Sequence, residues 1–192
     1  TAFSINHWEK ASKYTDDTAA QEAQKKANEA ATAAQEINAS ITAIDGNVDV
    51  ALKDKIITKT EAAAIKEALK GLDAIMADVN KTKEELVNNA VYKNIASDVK
   101  TDYTNAYDAL VAAYNELSEY INDTLLVAKT ITDEILSSYT TKYSTFKTKY
   151  EDYVSKLTVV RNSMDALLNT RIGDIATMLG GLKATTDAMN TE

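Results

Sequence analysis

Hydrophobic residues recur along most of this chain at alternating steps of three and four positions, which is the spacing of a helix that buries one face. The first series predicts a helix over residues 16–44, with apolar residues at the a and d positions of a heptad repeat. Its members are Ala20, Ala23, Ala27, Ala30, Ala34, Ile37, Ile41 and Ile44. Because alanine buries little area, this helix needs a neighbour along its length.

A second helix is predicted to begin at Thr58, after a connector over residues 45–57 in which Gly46 favours a turn. Thr58 and Glu61 have the spacing of a capping box, in which each side chain accepts a hydrogen bond from the other residue's amide. Lys83 is the one polar interruption of the apolar series that follows. That series is Ala62, Ile65, Leu69, Leu72, Met76, Val79, Leu86 and Ala90.

Two further helices carry most of the ten tyrosines. Ser97 and Asp98 are predicted to cap the third helix, and the fourth begins between Thr130 and Asp133. The third series is Val99, Tyr103, Ala106, Leu110, Ala113, Leu117 and Tyr120, widened by Tyr107, Tyr114 and Ile121. The fourth series is Leu136, Tyr139, Tyr143, Phe146, Tyr150, Tyr153, Leu157, Val160, Met164 and Leu167. Tyrosine at helical spacing more often packs in a core than stacks sugars or bases, so we predict that the two tyrosine series pack on each other.

Past Leu167 the apolar series shifts by one residue. It continues along a different stripe at Leu168, Ile172, Ile175, Leu179 and Leu182. A shift of this kind marks the point where a helix stops facing one set of neighbours and begins to face another. Gly180 and Gly181 lie within the new series and are expected to end or bend the helix.

Together these series predict an all-α fold, an elongated antiparallel bundle of about four long helices with coiled-coil-like seams at both ends. The predicted divisions are a lead-in segment over residues 1–15, an alanine-rich coiled-coil helix over 16–44, a connector over 45–57, a three-helix antiparallel bundle over 58–167, and a re-phased C-terminal helix over 168–192 that leads to a further domain.

The amino-acid composition and net charge argue against several classes of function. The chain has no proline and only five glycines, so few residues interrupt its helices. A net charge of −8 argues against a nucleic-acid groove or an anionic membrane surface as the partner. No run approaches the roughly 20 apolar residues that cross a bilayer, so membrane insertion is not expected. Without cysteine, neither a disulfide nor a thiolate metal site can form.

Candidate chemistry is sparse. Asp45, Asn47 and Asp49 have the alternate spacing of a calcium loop, but Val50 stands where such a loop needs glycine. His7 is the only histidine, which argues against a catalytic triad and excludes a multi-histidine metal site. Neither a phosphate loop nor a dinucleotide-binding turn occurs. The sequence therefore predicts no catalytic, cofactor-binding or metal-binding residue, no cofactor, and no enzyme.

The segment from Asp54 to Glu61 reads DKIITKTE. It resembles the helix start D-x-x-I-T-x-x-E found in helical regions of bacteriophage tail-tip and minor structural proteins, although the proline usual after the threonine is Lys59 here. In those proteins an Ala/Gln-rich coiled coil precedes the motif, as residues 19–44 do here. A tyrosine-rich hairpin follows it, as in YTNAYDALVAAYNEL and YSTFKTKYEDYVSKL. The resemblance covers roughly residues 14–170.

This resemblance implies a non-enzymatic spacer or connector of a phage or prophage tail, near the host-recognition end and located in the virion tail. It also implies self-association, with a trimer around the tail axis as one arrangement, and contact with neighbouring tail or surface protein domains. The alternative is a bacterial surface or periplasmic helical binding module, extracellular or at the cell surface, with a tyrosine-lined ligand face. A scaffold buries its tyrosines between the third and fourth helices, whereas a binding module exposes several on one concave face.

Overall fold

A computed structural model of the chain describes residues 55–189 and, before them, Ala39, Thr42, Ala43 and Gly46. Those four residues have helical backbone, and the rest of the predicted helix over 16–44 lies outside the described residues, as does the lead-in over 1–15. No strand occurs within the part of the chain that the structure describes, and the predicted all-α class is confirmed.

The elements are α1 (Lys59–Asn88), α2 (Ala90–Asn94), α3 (Ser97–Tyr120), a π-helical turn (Ile121–Leu125) and α4 (Asp133–Met189). The chain forms two compact units. The first combines Thr1–Asp54 with Thr58–Ile75, and the second combines Lys55–Ile57 with Met76–Glu192, so α1 contributes residues to both.

The start of α1 follows from local sequence. The Thr58 amide donates to Glu61 Oε2 at 2.7 Å, and the Glu61 amide donates to Thr58 Oγ1 at 3.3 Å. This confirms the predicted capping box, which satisfies two of the amides that the first helical turn leaves unpaired. The start of α4 also falls in the predicted interval, because Thr132 Oγ1 accepts from the Ile135 amide at 3.2 Å.

The predicted cap of α3 is wrong. The N-cap residue is Ala96, with no side-chain hydrogen bond, and Ser97 already lies inside the helix. Asp98 accepts from the adjacent Val99 amide at 2.9 Å and does not cap the helix end. The buried side chain of Ile95 anchors the chain just before α3, so tertiary packing sets this helix start where a capping side chain was expected.

The second predicted helix is interrupted at Asn89, whereas its apolar series was expected to continue to Ala90. Asn89 has extended backbone, and its side-chain oxygen accepts from the Val91 amide at 2.8 Å and the Tyr92 amide at 3.2 Å. This asparagine caps the short helix α2, which carries the buried side chain of Tyr92.

The described glycines do not end helices where the sequence predicts it. Gly46 has helical backbone where a turn is expected, and α4 does not end at Gly180 and Gly181 but continues to Met189. Glycine permits positive φ angles but does not require them, and none of the described glycines has one. Within α4, neighbouring leucine, lysine and alanine favour helix strongly enough to offset the two glycines.

The two units have separate buried residues. In the first unit, α1 buries Ile65, Leu69, Leu72 and Ile75. In the second unit, the core is formed by residues from every element, most of them predicted from their spacing. They are Met76, Val79, Tyr92, Ile95, Tyr103, Ala106, Leu110, Ala113, Tyr114, Leu117, Ile121, Leu125, Ile131, Tyr139, Phe146, Tyr150, Tyr153, Leu157 and Val160.

Helices α3 and α4 form an antiparallel hairpin. Near its closed end the Tyr120 hydroxyl donates to the Ile135 carbonyl at 3.1 Å. Toward the opposite end Lys156 forms an ion pair with Asp102 at 3.0 Å. The end of α3 therefore meets the start of α4, and the start of α3 meets a later turn of α4.

Candidate functional site

Four buried tyrosines form a continuous aromatic cluster in the second unit. We define the tyrosine cluster as Tyr92, Tyr103, Tyr150 and Tyr153. The ring centroids are 6.4 Å apart between Tyr92 and Tyr103, 5.7 Å between Tyr103 and Tyr153, and 6.4 Å between Tyr150 and Tyr153. Aromatic pairs at such separations stabilise beyond the area they bury, so the cluster joins α2, α3 and α4.

The two tyrosine series of the hairpin pack on each other, as predicted. Besides Tyr103 and Tyr153, Tyr114 on α3 lies against Phe146 on α4 with ring centroids 6.0 Å apart. Half-buried tyrosines lie at the edge of this core, among them Tyr107, whose hydroxyl donates to Asn80 Oδ1 at 2.8 Å. The rings therefore lie between helices, with hydroxyls reaching polar partners at the rim.

Tyr103 is an exception to this arrangement. Its side chain is fully buried, and its hydroxyl has no hydrogen-bond partner of acceptable geometry among the described residues. Burial, and then the neighbouring Tyr153, raises the pKa of Tyr103 far above its ordinary value. The Tyr153 side chain is the neighbour that acts most strongly on the Tyr103 hydroxyl. Burial also raises the pKa of Tyr153, so both phenols keep their protons to a higher pH than an exposed tyrosine does.

Lys83, the polar interruption in the second apolar series, contacts aromatic rings. Its Nζ lies 4.5 Å from the centroid of Tyr107 and 5.4 Å from that of Tyr103. It also donates to Thr104 Oγ1 at 3.4 Å. At this position, where the series leads one to expect an apolar side chain, the ammonium instead makes cation–π contacts that join α1 to α3. Spacing alone could not reveal this role, because it depends on which rings α3 places opposite.

Tyr92 is the member of the cluster that the spacing of apolar residues did not identify. It follows the break at Asn89 and precedes the buried Ile95, so it belongs to neither neighbouring series. The available signal was local: asparagine is a favoured N-cap, and a cap directly before a short apolar segment indicates a separate helical turn.

The second half of α4 presents an exposed apolar face. We define the C-terminal stripe as Leu168, Ile172, Ile175, Leu179, Leu182 and Met189. Among the described residues, Val160 is the last buried side chain, whereas Ile175, Leu179 and Leu182 are 57%, 44% and 66% exposed. The sequence places the shift of register at Leu167, a few residues after burial ends. Large apolar side chains aligned on one helical face are typical of an interaction surface.

The candidate calcium-loop residues Asp45, Asn47 and Asp49 lie outside the described residues, as does His7. Within the described part of the chain, no three acidic or histidine side chains lie close enough together to hold a metal ion. None of the described helices combines the length and the apolar character needed to cross a membrane. Comparisons with known protein families, curated proteins and solved structures found no match for this chain.

Proposed function

We propose that this chain is a non-enzymatic spacer or connector in a phage or prophage tail, near the host-recognition end. The observation that carries the proposal is the burial of the tyrosine rings between helices. Tyr103, Tyr114, Tyr139, Tyr150 and Tyr153 are all buried. Aromatic rings buried in this way stabilise a scaffold, whereas a ligand face requires several rings exposed together.

The polar contacts of the hairpin serve the same structural role. Lys142 pairs with Glu116 at 3.4 Å and lies 5.8 Å from the ring centroid of Tyr120, while Lys156 pairs with Asp102 at the other end. Individually such exposed pairs contribute little to stability, but they fix the register of α3 on α4. Each of these charges is paired within the fold, as expected for a scaffold.

Helix α4 is suited to span a distance. It contains 57 residues without a break, which corresponds to about 85 Å at the rise of an α-helix. Its first half is held against α3, and its second half carries the C-terminal stripe. A long helix anchored at one end and apolar on one face at the other connects a folded unit to a further partner.

The proposed partners are copies of this chain, with a trimer as one arrangement, and neighbouring tail or surface protein domains. The proposed location is the virion tail. The alternative function is a surface or periplasmic binding module, which would place the chain outside the cell or at its surface. That alternative is less well supported because the tyrosines expected to line its ligand face are largely buried.

Immunogold electron microscopy discriminates between the two functions. Antibodies raised against the purified chain would be applied to tailed particles released by the source bacterium after prophage induction, and to intact cells of the same culture. We expect gold at the tail end that contacts the host, and its loss when the antibody is first adsorbed with the purified chain. Gold on the cell surface, with unlabelled particles, would overturn the tail assignment and favour the binding module.

A further inference from the structure

We propose that the C-terminal stripe is the surface through which copies of this chain associate, as a parallel coiled coil of more than two strands. The proposal rests on the self-association included in the proposed function and assigns it to particular residues. It begins from the spacing of the stripe, which alternates steps of four and three from Leu168 to Leu182, with Met189 one heptad further on. Its d positions are Leu168, Ile175, Leu182 and Met189, its a positions are Ile172 and Leu179, and the polar Thr186 stands at the next a position.

Such spacing along a single face is the pattern of a helix paired with other helices. The exposure of Ile175, Leu179 and Leu182 shows that no described residue covers this face. A helical segment that leaves a row of large apolar side chains exposed to water is stabilised when a partner covers that row.

Charge favours a second copy as that partner. Over residues 168–189, Arg171 and Lys183 balance Asp174 and Asp187, so this segment is neutral although the chain carries a net charge of −8. Lys183 is also paired with Asp187 on its own helix at 2.6 Å. Copies can therefore meet along the stripe without the repulsion that their net charge would cause elsewhere.

The flanking positions are compatible with parallel strands. In a parallel coiled coil, each g residue faces the e residue of the next heptad on its neighbour. Here Arg171 at g would face Ala176 at e, and Met178 at g would face Lys183 at e. No like charges meet, and the apolar stem of Lys183 can pack on Met178.

The residues at the centre of the stripe favour more than two strands. Dimers prefer β-branched residues at a with leucine at d, whereas isoleucine at both positions, or leucine at a with isoleucine at d, favours trimers or tetramers. The central layers are Ile172 at a, Ile175 at d and Leu179 at a. The pair Ile172 and Ile175 and the pair Ile175 and Leu179 therefore both have the residue types that favour trimers or tetramers.

Association along the stripe leaves the hairpin intact. Because one residue corresponds to about 100° around an α-helix, the shift of register at Leu167 turns the stripe away from the face that buries Leu157 and Val160 against the core. The same continuous helix can therefore contact α3 with its first half and other copies with its second half.

Sedimentation equilibrium of the full chain, over a wide range of concentration, tests the proposal. We expect the wild type to reach three or four times the chain mass of 20.9 kDa. Ile175→Asp at the central d position should reduce this to the mass of one chain. Thr177→Asp, at the exposed f position two residues later, should associate like the wild type.

The outcomes separate this proposal from the proposed function. If Ile175→Asp associated to the same mass as the wild type, the C-terminal stripe would not be the surface of association, although the chain would still self-associate. A wild type that stays monomeric would overturn both the stripe and self-association, whereas the location in a tail is decided independently by microscopy.

Two further variants test strand number and direction. The double variant Ile175→Leu with Leu179→Ile keeps the same atoms in the stripe but restores the dimer pattern, so the mass should fall to twice that of one chain. An unchanged mass would overturn the argument from the residues at the a and d positions.

Met189→Cys tests the direction of the strands, because it introduces a single thiol in a chain without cysteine. Parallel strands should form an intermolecular disulfide in a glutathione redox buffer, and failure to do so would overturn the parallel direction.

Discussion

The rings of Tyr103 on α3 and Tyr153 on α4 lie with their centroids 5.7 Å apart and their planes inclined by 39°. Both side chains are buried, so the pair joins the two helices of the hairpin through its apolar surface. The same burial leaves the Tyr103 hydroxyl without a hydrogen-bond partner among the described residues. One side chain thus combines a stabilising ring with a destabilising hydroxyl.

Replacing Tyr103 with phenylalanine separates these two contributions. Tyr103→Phe keeps the ring and removes a buried hydroxyl whose desolvation costs about 1–3 kcal/mol, so the free energy of unfolding should stay unchanged or rise by about 1 kcal/mol. Tyr107→Phe is the matched control, because it removes the hydrogen bond to Asn80 and should lower that free energy by about 0.5–1 kcal/mol. Urea denaturation measures both. A larger loss for Tyr103→Phe than for Tyr107→Phe would show that the Tyr103 hydroxyl has a stabilising partner.

The buried phenols also predict how stability depends on alkaline pH. Burial, and then the neighbouring Tyr153, raises the pKa of Tyr150 to about 12, above the ordinary tyrosine value of 10.0. Between these values the unfolded chain loses its phenolic proton before the folded chain does, so the free energy of unfolding falls as pH rises. The stabilising contribution is fully present below pH 10 and is lost by about pH 12.

For Tyr150 we expect this loss to reach about 1–2 kcal/mol. Urea denaturation at several pH values between 9 and 12 measures it, and phenolate absorbance reports ionisation in the same samples. Tyr150→Phe should give a shallower dependence on pH than the wild type. Identical slopes for the two proteins would assign the alkaline loss to other groups.

The amino-acid sequence predicts those parts of the fold that depend on residues close to one another along the chain. The capping box of Thr58 and Glu61 is complete within four residues, and it forms as expected. The apolar series of α3 and α4 predicted the buried residues of the hairpin because each helix hides one continuous face. Phe146 and Val160, both fully buried, lie at positions that the spacing alone assigned to the core.

Features that depend on distant neighbours could not be predicted. Lys83 interrupts an apolar series, and only the position of Tyr107 on α3 explains why an ammonium is favourable there. Ala96 precedes α3 without a capping side chain because the adjacent Ile95 is anchored in the core. The cluster contact of Tyr92 likewise depends on where α2 meets α3. In each case tertiary packing decides what local preference leaves open.

A double-mutant cycle measures the contact between Lys83 and Tyr107. Lys83→Met keeps an unbranched side chain but removes the ammonium, and Tyr107→Leu removes the ring. Because the Nζ lies 4.5 Å from the ring centroid, we expect a coupling free energy of about 0.5–1 kcal/mol. The same cycle with Lys81→Met in place of Lys83→Met should give no coupling, since Lys81 pairs with Glu85 on its own helix. Equal couplings in the two cycles would rule out a specific cation–π contact.

Lys55 is the one described residue other than glycine with positive φ, at 61°. Its carbonyl accepts from the Ile131 amide at 2.8 Å, which ties the turn before α1 to the segment before α4. Its side chain makes an exposed ion pair with Asp133 at 3.5 Å, which contributes little to stability. The left-handed backbone costs a lysine roughly 1–2 kcal/mol, whereas glycine adopts it without steric strain.

Lys55→Gly should therefore raise the free energy of unfolding by up to about 1 kcal/mol, because relief of the backbone strain exceeds the greater entropy of glycine in the unfolded chain. Lys147→Gly makes the same exchange at an exposed position inside α4 and should instead lower it by about 1 kcal/mol. Urea denaturation of both variants tests this difference in sign. If Lys55→Gly destabilised the protein as much as Lys147→Gly does, the lysine side chain would be more important at this turn than the backbone conformation.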